Sequence, residues 1–326
     1  MKTIIFKRKL GIRIDKFLSA VESLADKTEK RFFDLKITRG EIIRQIKNEN
    51  ILVNGKKVKP SYILKENDDI SIIKEQGSMN NIMPNRNIKL EIIYQDENII
   101  VVNKPAGMQV HPVKSLSDHG ASLDDTLVNG LLYHFPETES VGEDPMRPGI
   151  VHRLDKDTSG VMVVARNQKA FFKLKEKFKN KKVVKKYWAV LVGRMENKKG
   201  RIEKSIARSS DYRKQIIAGK KTRTKIREAV TEYKCLKDLN GYCLVEVTPK
   251  TGRMHQIRVH MTSIGHSVAG DKKYFFKSKD KNKKVFGRQM LHAKTLEFEL
   301  EGQKMKFEAD LPKDFKEAIK TLTKGK

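Results

Sequence analysis

The sequence lacks any long apolar run, and this absence argues against a membrane-spanning helix. Its 326 residues are 38% hydrophobic, but the apolar stretches are short, as at residues 99–102. A helix that crosses a bilayer needs about 20 consecutive apolar residues. Residues 1–8 are basic, and no apolar signal-peptide segment follows them. We therefore expect a cytoplasmic protein without a membrane partner.

Cysteine is also scarce, because the chain contains only Cys235 and Cys243. The two residues flank Asn240-Gly241, a dipeptide that strongly favours a hairpin turn, so they can lie near each other on paired strands. Neither has partners at a metal-ligand spacing. In a cytoplasmic chain two such cysteines are more often small core residues, and we interpret them as structural.

Acidic residues are few relative to basic residues. The chain has 69 lysines and arginines against 40 aspartates and glutamates, which gives a formal net charge of +29. Cationic side chains neutralise phosphates and release counterions, so this balance favours a nucleic-acid partner. Lysine enrichment across the whole source proteome is the alternative explanation, and composition alone leaves it open.

The length indicates one large domain and one small domain. In residues 12–74, apolar spacing predicts two helices, which are followed by a strand, an Asn-Gly turn and further strands. Residues 75–87 are polar and rich in Gly, Ser, Asn and Pro without periodicity, which predicts a linker. Strands and helices then mix over residues 88–326 without strict βαβ alternation. This order favours an α+β fold over a doubly wound one.

One polar stretch, residues 147–160, stands out within the larger domain. It contains a histidine, an arginine and two aspartates between two turns, and it leads directly into a predicted buried strand. A charged loop on a rigid strand is a typical place for a functional site. A salt-bridged surface loop has the same spacing, so spacing alone does not decide between the two interpretations.

The same stretch resembles the RluA-type family of pseudouridine synthases, and especially its RluD- and RluC-like branch. The match is His152-Arg153-Leu154-Asp155 followed by Thr158-Ser159-Gly160. Further family motifs occur in the family's order within residues 90–311; they are residues 103–108 with 111–112, 186–189, 229–233, 251–260, 270–271 and 291–293. The chain departs from the family at Phe275-Phe276, where glycine is usual.

Residues 12–74 resemble the S4 RNA-binding module, a small helix pair with a curved sheet (the α-L module). The resemblance rests on the Arg-Ile-Asp-Lys-Phe-Leu opening at residues 13–18, on the basic second helix, and on residues 52–58. It implies a basic face that binds RNA phosphates. The alternative is a basic helix hairpin that packs on the catalytic domain of the same chain.

The family resemblance implies a mixed, largely antiparallel sheet and an enzyme that isomerises uridine to pseudouridine in RNA. In this chain Asp155 corresponds to the catalytic carboxylate, Arg258 to the arginine that pairs with it, and Tyr187 to the tyrosine beside the base. The reaction imports no group and oxidises nothing, so we expect no metal and no cofactor. Arg258 as a phosphate contact and Tyr187 as a sheet aromatic are the plainer interpretations.

Further positions carry expectations from the same resemblance. Arg153 would fill the space of the extruded base, Leu291 would pack against the site, and His152, Lys104 and His111 would contact the substrate. Leu291 can equally be a core residue. Other basic residues are expected to bind RNA; they are Arg39, Arg44, Lys47, Lys56, Lys57, Lys185 and Lys186. We expect a monomer.

The expected partner is RNA. The S4-like segment and the motif at residues 148–160 favour bacterial large-subunit (23S) ribosomal RNA. Two alternatives stay open. A non-catalytic S4-type RNA-binding ribosome-assembly factor would have a silent catalytic domain, although Asp155, Tyr187 and Arg258 are all present. A carboxylate-based glycosidase or base-removing enzyme would release free uracil.

Overall fold

The chain divides into two compact units, Met1–Asn81 and Ile82–Lys326. The computed structural model describes residues 2–5, 11–19, 39–72, 82–112, 124–209, 214–276 and 286–324. None of the helices in these ranges has the length and apolar character to cross a bilayer.

The predicted linker, residues 75–87, overlaps the start of the second unit. Residues 75–81 lie outside the described ranges. Ile82 is buried against Val128 and Leu132, and the amide of Asn85 donates to the carbonyl of Asn129 at 2.9 Å. The chain therefore packs on the second unit from Ile82 onwards.

The first unit contains a helix pair and a small antiparallel sheet. Its elements are β1 (Lys2–Ile5), α1 (Ile14–Ser19), α2 (Arg39–Lys47), β2 (Ile51–Val53) and β3 (Asp69–Ile72). The strand order is β1-β3-β2. Apolar residues of both helices and of β2 and β3 form one core, which includes Ile14, Ile42, Ile46 and Ile70. The strand expected after the Asn-Gly turn is reduced to a single bridge between Val53 and Lys56.

The second unit is built on one large sheet with two small strands beside it. Its strands are β4 (Ile92–Gln95), β5 (Ile99–Lys104), β6 (Ser159–Ala165), β7 (Val184–Val192), β8 (Lys199–Glu203), β9 (Ile206–Arg208), β10 (Gln215–Ile217), β11 (Val230–Asp238), β12 (Tyr242–Pro249), β13 (Leu291–Leu300) and β14 (Gln303–Glu308). Its helices are α3 (Leu127–His134), α4 (Gln168–Lys179), α5 (Gln256–Ser263) and α6 (Lys313–Lys324), with a 3-10 turn at Pro136–Ser140.

The large sheet has the order β4-β5-β6-β13-β7-β12-β11-β8, and β14 pairs with the far half of β13. β6 and β13 are parallel, and the other pairs described in this sheet are antiparallel. The expected α+β class with a mixed, largely antiparallel sheet is therefore confirmed. β9 and β10 form a separate antiparallel pair.

Helices cover the sheet and bury its apolar residues. α3 and α4 pack on β5, β6 and β13 around a core that includes Leu131, Met162 and Leu174. The side chain of Asn167 accepts a hydrogen bond from the amide of Ala170 and caps α4. α5 packs on one face of β7 and β12, and α6 packs on the opposite face of the same two strands.

α5 begins at Gln256, directly after a residue with an uncommon backbone conformation. His255 has a φ of 56°, in the left-handed region, and a residue in that conformation cannot continue a right-handed helix. This conformation matters because His255 faces the candidate site.

The parallel contact between β6 and β13 brings their amino-terminal ends together at one edge. Ser159 pairs with His292 and Gly160 with Ala293, and β7 pairs with the other side of β13. Gly160 has a φ of 120°, and a Cβ there would lie 2.2 Å from the carbonyl oxygen of Ala293. Glycine is therefore required for this close approach.

The structure joins Cys235 and Cys243 in a disulfide across the β11–β12 hairpin. They are thus a bonded pair, not two separate small core residues. Within the described ranges, one group of at least three His, Cys, Asp or Glu side chains has its ligand atoms within 4.8 Å of one another. It consists of these cysteines and Asp238, and the disulfide occupies both sulfurs.

We predict that Gly160→Ala destabilises the protein much more than Gly302→Ala does. Both glycines have positive φ, but a Cβ at Gly302 would meet nothing within 4 Å. The Gly302 variant should cost about 1 kcal/mol through backbone strain alone. The Gly160 variant adds a backbone clash and should cost about 3 kcal/mol. Equal losses in urea unfolding would contradict the close approach.

Candidate active site

The three residues expected to be catalytic, Asp155, Tyr187 and Arg258, meet with Leu291 in one cleft because of the strand order. Asp155 lies in the loop before β6, Leu291 opens β13, and Tyr187 of β7 pairs with Ala293 of β13. Arg258 reaches the same place from α5, which packs on β7 and β12. All four line a cleft of about 530 Å³.

Asp155 and Arg258 are in direct contact. The Nη1 of Arg258 donates to Oδ2 of Asp155 at 3.0 Å. The rest of the guanidinium faces Asp271: Nε donates to Oδ2 at 2.6 Å and Nη2 donates to Oδ1 at 2.8 Å. Arg258 is only 4% exposed and Asp271 only 1%. Burial opposes the charge, but the bonds to both carboxylates raise the pKa of Arg258 above its usual value.

Asp271 is itself held by the backbone of the turn that follows it. Its Oδ1 accepts from the amide of Lys273 at 2.8 Å and from the amide of Tyr274 at 3.0 Å. The aromatic ring of Tyr274 covers the guanidinium of Arg258, whose Cζ lies 5.1 Å from the ring centroid. The turn that follows α5 therefore supplies both a negative charge and an aromatic ring for the guanidinium of Arg258.

Tyr187 lies in the cleft, with its side chain packed between two apolar clusters. Burial, and then the nearby charge of Asp155, raise the pKa of Tyr187 above its usual value. The side chain is therefore a neutral phenol at neutral pH. Leu291 is 3% exposed and belongs to the core beneath the cleft while it lines the cleft floor.

Besides Leu291, two of the expected substrate residues line the cleft, Arg153 and His152. The Nη1 of Arg153 donates to Nε2 of His111 at 2.9 Å. The Nε2 of His152 accepts from the amide of Val163 at 3.1 Å. The imidazole ring of His152 stacks on the ring of Phe178, with 4.5 Å between the ring centroids. Burial and the nearby Lys185 lower the pKa of His152 to about 3, so the ring is neutral.

His111 is expected to contact the substrate, and the structure places it in the core, outside the lining of the cleft. The side chain is 4% exposed, and its Nδ1 lies 2.9 Å from the carbonyl oxygen of Pro112. Burial lowers the pKa of His111 to about 4, so Nδ1 carries the one proton and Nε2 accepts from Arg153. His111 therefore orients the guanidinium of Arg153 from the buried side.

Lys104 is also expected at the substrate, and the structure places it in the core, outside the lining of the cleft. It is 0% exposed, and its Nζ donates to the carbonyl oxygens of Pro105, Met108 and Lys156 at 2.7, 2.8 and 3.1 Å. Burial lowers the pKa of Lys104 to about 7. Its contact with Lys156 ties the loop after β5 to the loop that carries Asp155.

The expected RNA-binding residues fall in different places. Lys185 lines the cleft and lies over Phe178, and burial lowers the pKa of its amine. The Nζ of Lys186 lies 4.0 Å from Oε1 of Glu246. In the first unit Lys47, Lys56 and Lys57 are exposed, and Lys57 also pairs with Glu49. The side chains of Arg39 and Arg44 lie outside the part of the structure that is described.

No role was predicted for three residues near Asp155: Asp271, Tyr274 and His255. Asp271 and His255 fall within family motifs, but the buried contacts of these three side chains depend on the tertiary structure. Residues 214–227, which include β10, were not predicted to be functional either. This stretch contains six lysines and arginines and no acidic residue, a signal that a charge scan would have found.

Comparisons with known proteins agree with this geometry. Residues 98–263 match the family described as RNA pseudouridylate synthase, and residues 35–70 match the S4 domain. The "Uncharacterized RNA pseudouridine synthase YlyB" of Bacillus subtilis is 36% identical over 316 residues, which cover 96% of this chain and 95% of that protein.

Two further similarities extend the comparison. The "Ribosomal large subunit pseudouridine synthase D" of Borreliella burgdorferi is 39% identical over 280 residues, which cover 83% of this chain and 82% of that protein. The solved structure "Human RNA Pseudouridylate Synthase Domain Containing 1" aligns with a TM-score of 0.56 and 28% identity. That alignment covers 70% of this chain and 86% of the human chain.

We predict that Lys104→Met destabilises the protein by about 2 kcal/mol or more, because it removes the buried ammonium that donates to the carbonyl oxygens of Pro105, Met108 and Lys156. Methionine keeps the aliphatic length of lysine and removes the ammonium. Lys156→Met in the neighbouring loop is the matched control, since that side chain is exposed. Chemical unfolding measures both, and a Lys104 variant as stable as the control would contradict a structural role.

Proposed function

The chain belongs to the RNA pseudouridylate synthase family and is an RNA pseudouridine synthase with an S4 domain; from this premise we propose that it modifies large-subunit ribosomal RNA and that Asp155 is its catalytic carboxylate. The name of the Borreliella burgdorferi relative supports the substrate class. Ribosomal RNA as substrate in turn supports a cytoplasmic location. We further propose that the enzyme acts as a monomer without a metal or cofactor.

One observation carries the proposal for Asp155. Its Oδ2 accepts from Arg258, and its Oδ1 accepts no hydrogen bond from any of the described residues. A carboxylate that is oriented on one oxygen by an arginine, with the other oxygen available in a cleft, is equipped to act as a nucleophile or to assist departure of a base.

The reaction requires little more than this carboxylate and a shaped cleft. The bond between N1 of uracil and C1′ of ribose breaks, C5 of the same base bonds to C1′, and the C5 proton is lost while N1 gains one. Asp155 would act at the sugar–base bond. Tyr187, a neutral phenol, would stack on the uracil, and Leu291 would pack against it. Arg153 would occupy the space left by the extruded base.

The stretch of residues 214–227 offers a surface for RNA phosphates next to this cleft. We call it the basic arm. The amide of Gln215 in the arm donates to Oη of Tyr274 at 2.7 Å, which places β10 beside the site. Its six cations are exposed, and none forms an ion pair within the described part of the chain; they are Lys214, Lys220, Lys221, Arg223, Lys225 and Arg227. Unpaired exposed cations suit phosphate contacts.

We predict that Asp155→Asn keeps RNA binding and lowers pseudouridine formation by at least about a thousandfold, since the amide cannot replace the carboxylate. Unmodified ribosomal RNA is incubated with purified protein, and pseudouridine is mapped by carbodiimide-adduct primer extension. Asp157→Asn, in the same loop, is the matched control and should stay active. Turnover by the Asp155 variant would disprove the assignment, and free uracil as product would indicate a base-removing enzyme.

A second prediction concerns the basic arm. The triple variant Lys220→Glu, Lys221→Glu, Arg223→Glu should bind RNA at least about tenfold more weakly and lower the salt dependence of binding by about two counterions. The control makes the same charge change on α6 at Lys313, Lys316 and Lys320, which are exposed but do not line the cleft. Filter binding at several salt concentrations measures both, and equal losses would indicate only a net-charge effect.

A further inference from the structure

Asp155 has a second neighbour besides Arg258, and that neighbour is His255. The Nε2 of His255 lies 3.8 Å from Oδ2 of Asp155, the same oxygen that accepts from Arg258. On the other side of the ring, Nδ1 lies 2.9 Å from Oη of Tyr274. Tyr274 also covers the guanidinium of Arg258, so the four side chains form a closed ring of contacts.

The hydrogen bonds around Tyr274 determine which nitrogen of His255 is protonated. Oη of Tyr274 accepts from the backbone amide of Gln215 at 2.7 Å, so its own proton is available for Nδ1 of His255. An imidazole that accepts at Nδ1 is protonated at Nε2. This tautomer directs an N–H at Oδ2 of Asp155.

Burial keeps His255 neutral, because it lowers the pKa of the ring to about 4. The groups that face the ring are Asp155, Asp271, Arg258, Lys273 and Tyr274. The two carboxylates favour a second proton, whereas the two cations oppose it. At neutral pH the ring therefore acts as a neutral donor and not as a counter-ion.

The backbone around His255 is fixed in its uncommon left-handed conformation. The side chain of Gln256 accepts from the hydroxyl of Thr251 at 2.7 Å and from the amide of Arg253 at 3.0 Å, and it donates to the carbonyl of Val230 at 2.9 Å. A strained residue that its surroundings hold in place is a feature found at functional sites.

We propose that His255 and Tyr274 are a positioning pair that holds an Nε2–H donor against Oδ2 of Asp155 and thereby leaves Oδ1 directed at the substrate. The inference rests on the proposed function of Asp155. The donor and the carboxylate oxygen are 3.8 Å apart without substrate, and catalytic hydrogen bonds often shorten only when substrate is bound.

Substitution of His255 separates hydrogen bonding from packing. His255→Gln keeps an N–H donor near the position of Nε2, whereas His255→Met has the same length and no donor. Neither side chain is β-branched, so both share the cost of the left-handed backbone. We expect the Met variant to lose at least about tenfold in single-turnover rate and the Gln variant to stay within about threefold of the wild type. RNA affinity should be unchanged in both.

Tyr274→Phe tests the other half of the pair. It keeps the ring over Arg258 and removes only the hydroxyl that fixes the tautomer of His255. The single-turnover rate should fall by about tenfold at unchanged RNA affinity. Equal losses in the Gln and Met variants, or a Phe variant with the wild-type rate, would overturn the proposal.

A measurement without turnover tests the tautomer directly. Nitrogen-15 NMR of the full chain with labelled histidine resolves protonated from unprotonated ring nitrogens, and His255→Met identifies the signal among the eight histidines. We expect a protonated Nε2 and an unprotonated Nδ1, and the reverse would refute the pair. A wild-type enzyme that forms no pseudouridine would instead remove the proposed function, whatever the NMR result.

Discussion

The buried pairing of Arg258 with Asp271 and Asp155 is the interaction on which the cleft depends. A guanidinium that is 4% exposed would be costly without counter-charges, and removal of one partner from a buried pair typically costs about 3–5 kcal/mol. Asp271 binds two nitrogens of the guanidinium and two backbone amides of its own turn. Because Arg258 has little freedom left, its remaining Nη1 fixes Oδ2 of Asp155, and the carboxylate is oriented before any substrate arrives.

The large sheet positions the loop that carries Asp155 next to Arg258. The parallel contact of β6 with β13 puts the loop of Asp155 beside Leu291, and the absence of a side chain at Gly160 permits the contact. From behind, Lys104 binds the carbonyl of Lys156 in the same loop. Backbone contacts therefore hold the loop in place, and the cleft side of Asp155 is left for a ligand. This division explains why a buried lysine close to the loop of Asp155 has a structural role.

Local patterns predicted the helices and strands well, because apolar spacing and turn residues act within a few positions along the chain. The β11–β12 hairpin agrees with the turn predicted at Asn240-Gly241. The start of α5 was not predictable, since the left-handed His255 is stabilised by the contacts of Gln256 with Thr251 and Val230. The motifs indicated Asp155, Arg258 and Tyr187 as neighbours. They did not separate Lys104 and His111, which support the site from within the core, because burial depends on the complete fold.

One hydrogen bond joins the proposed RNA-binding surface to the side chains around Asp155. The amide of Gln215 belongs to the basic arm, and it donates to the hydroxyl of Tyr274, which contacts the ring of His255. If the arm binds phosphates as proposed, it also sets the position of the group beside Asp155. Exposed lysines provide affinity for any RNA, since phosphates carry no sequence information. Because the same arm is joined to the site through Gln215 and Tyr274, a phosphate contact that shifts β10 would also shift the donor that faces the carboxylate.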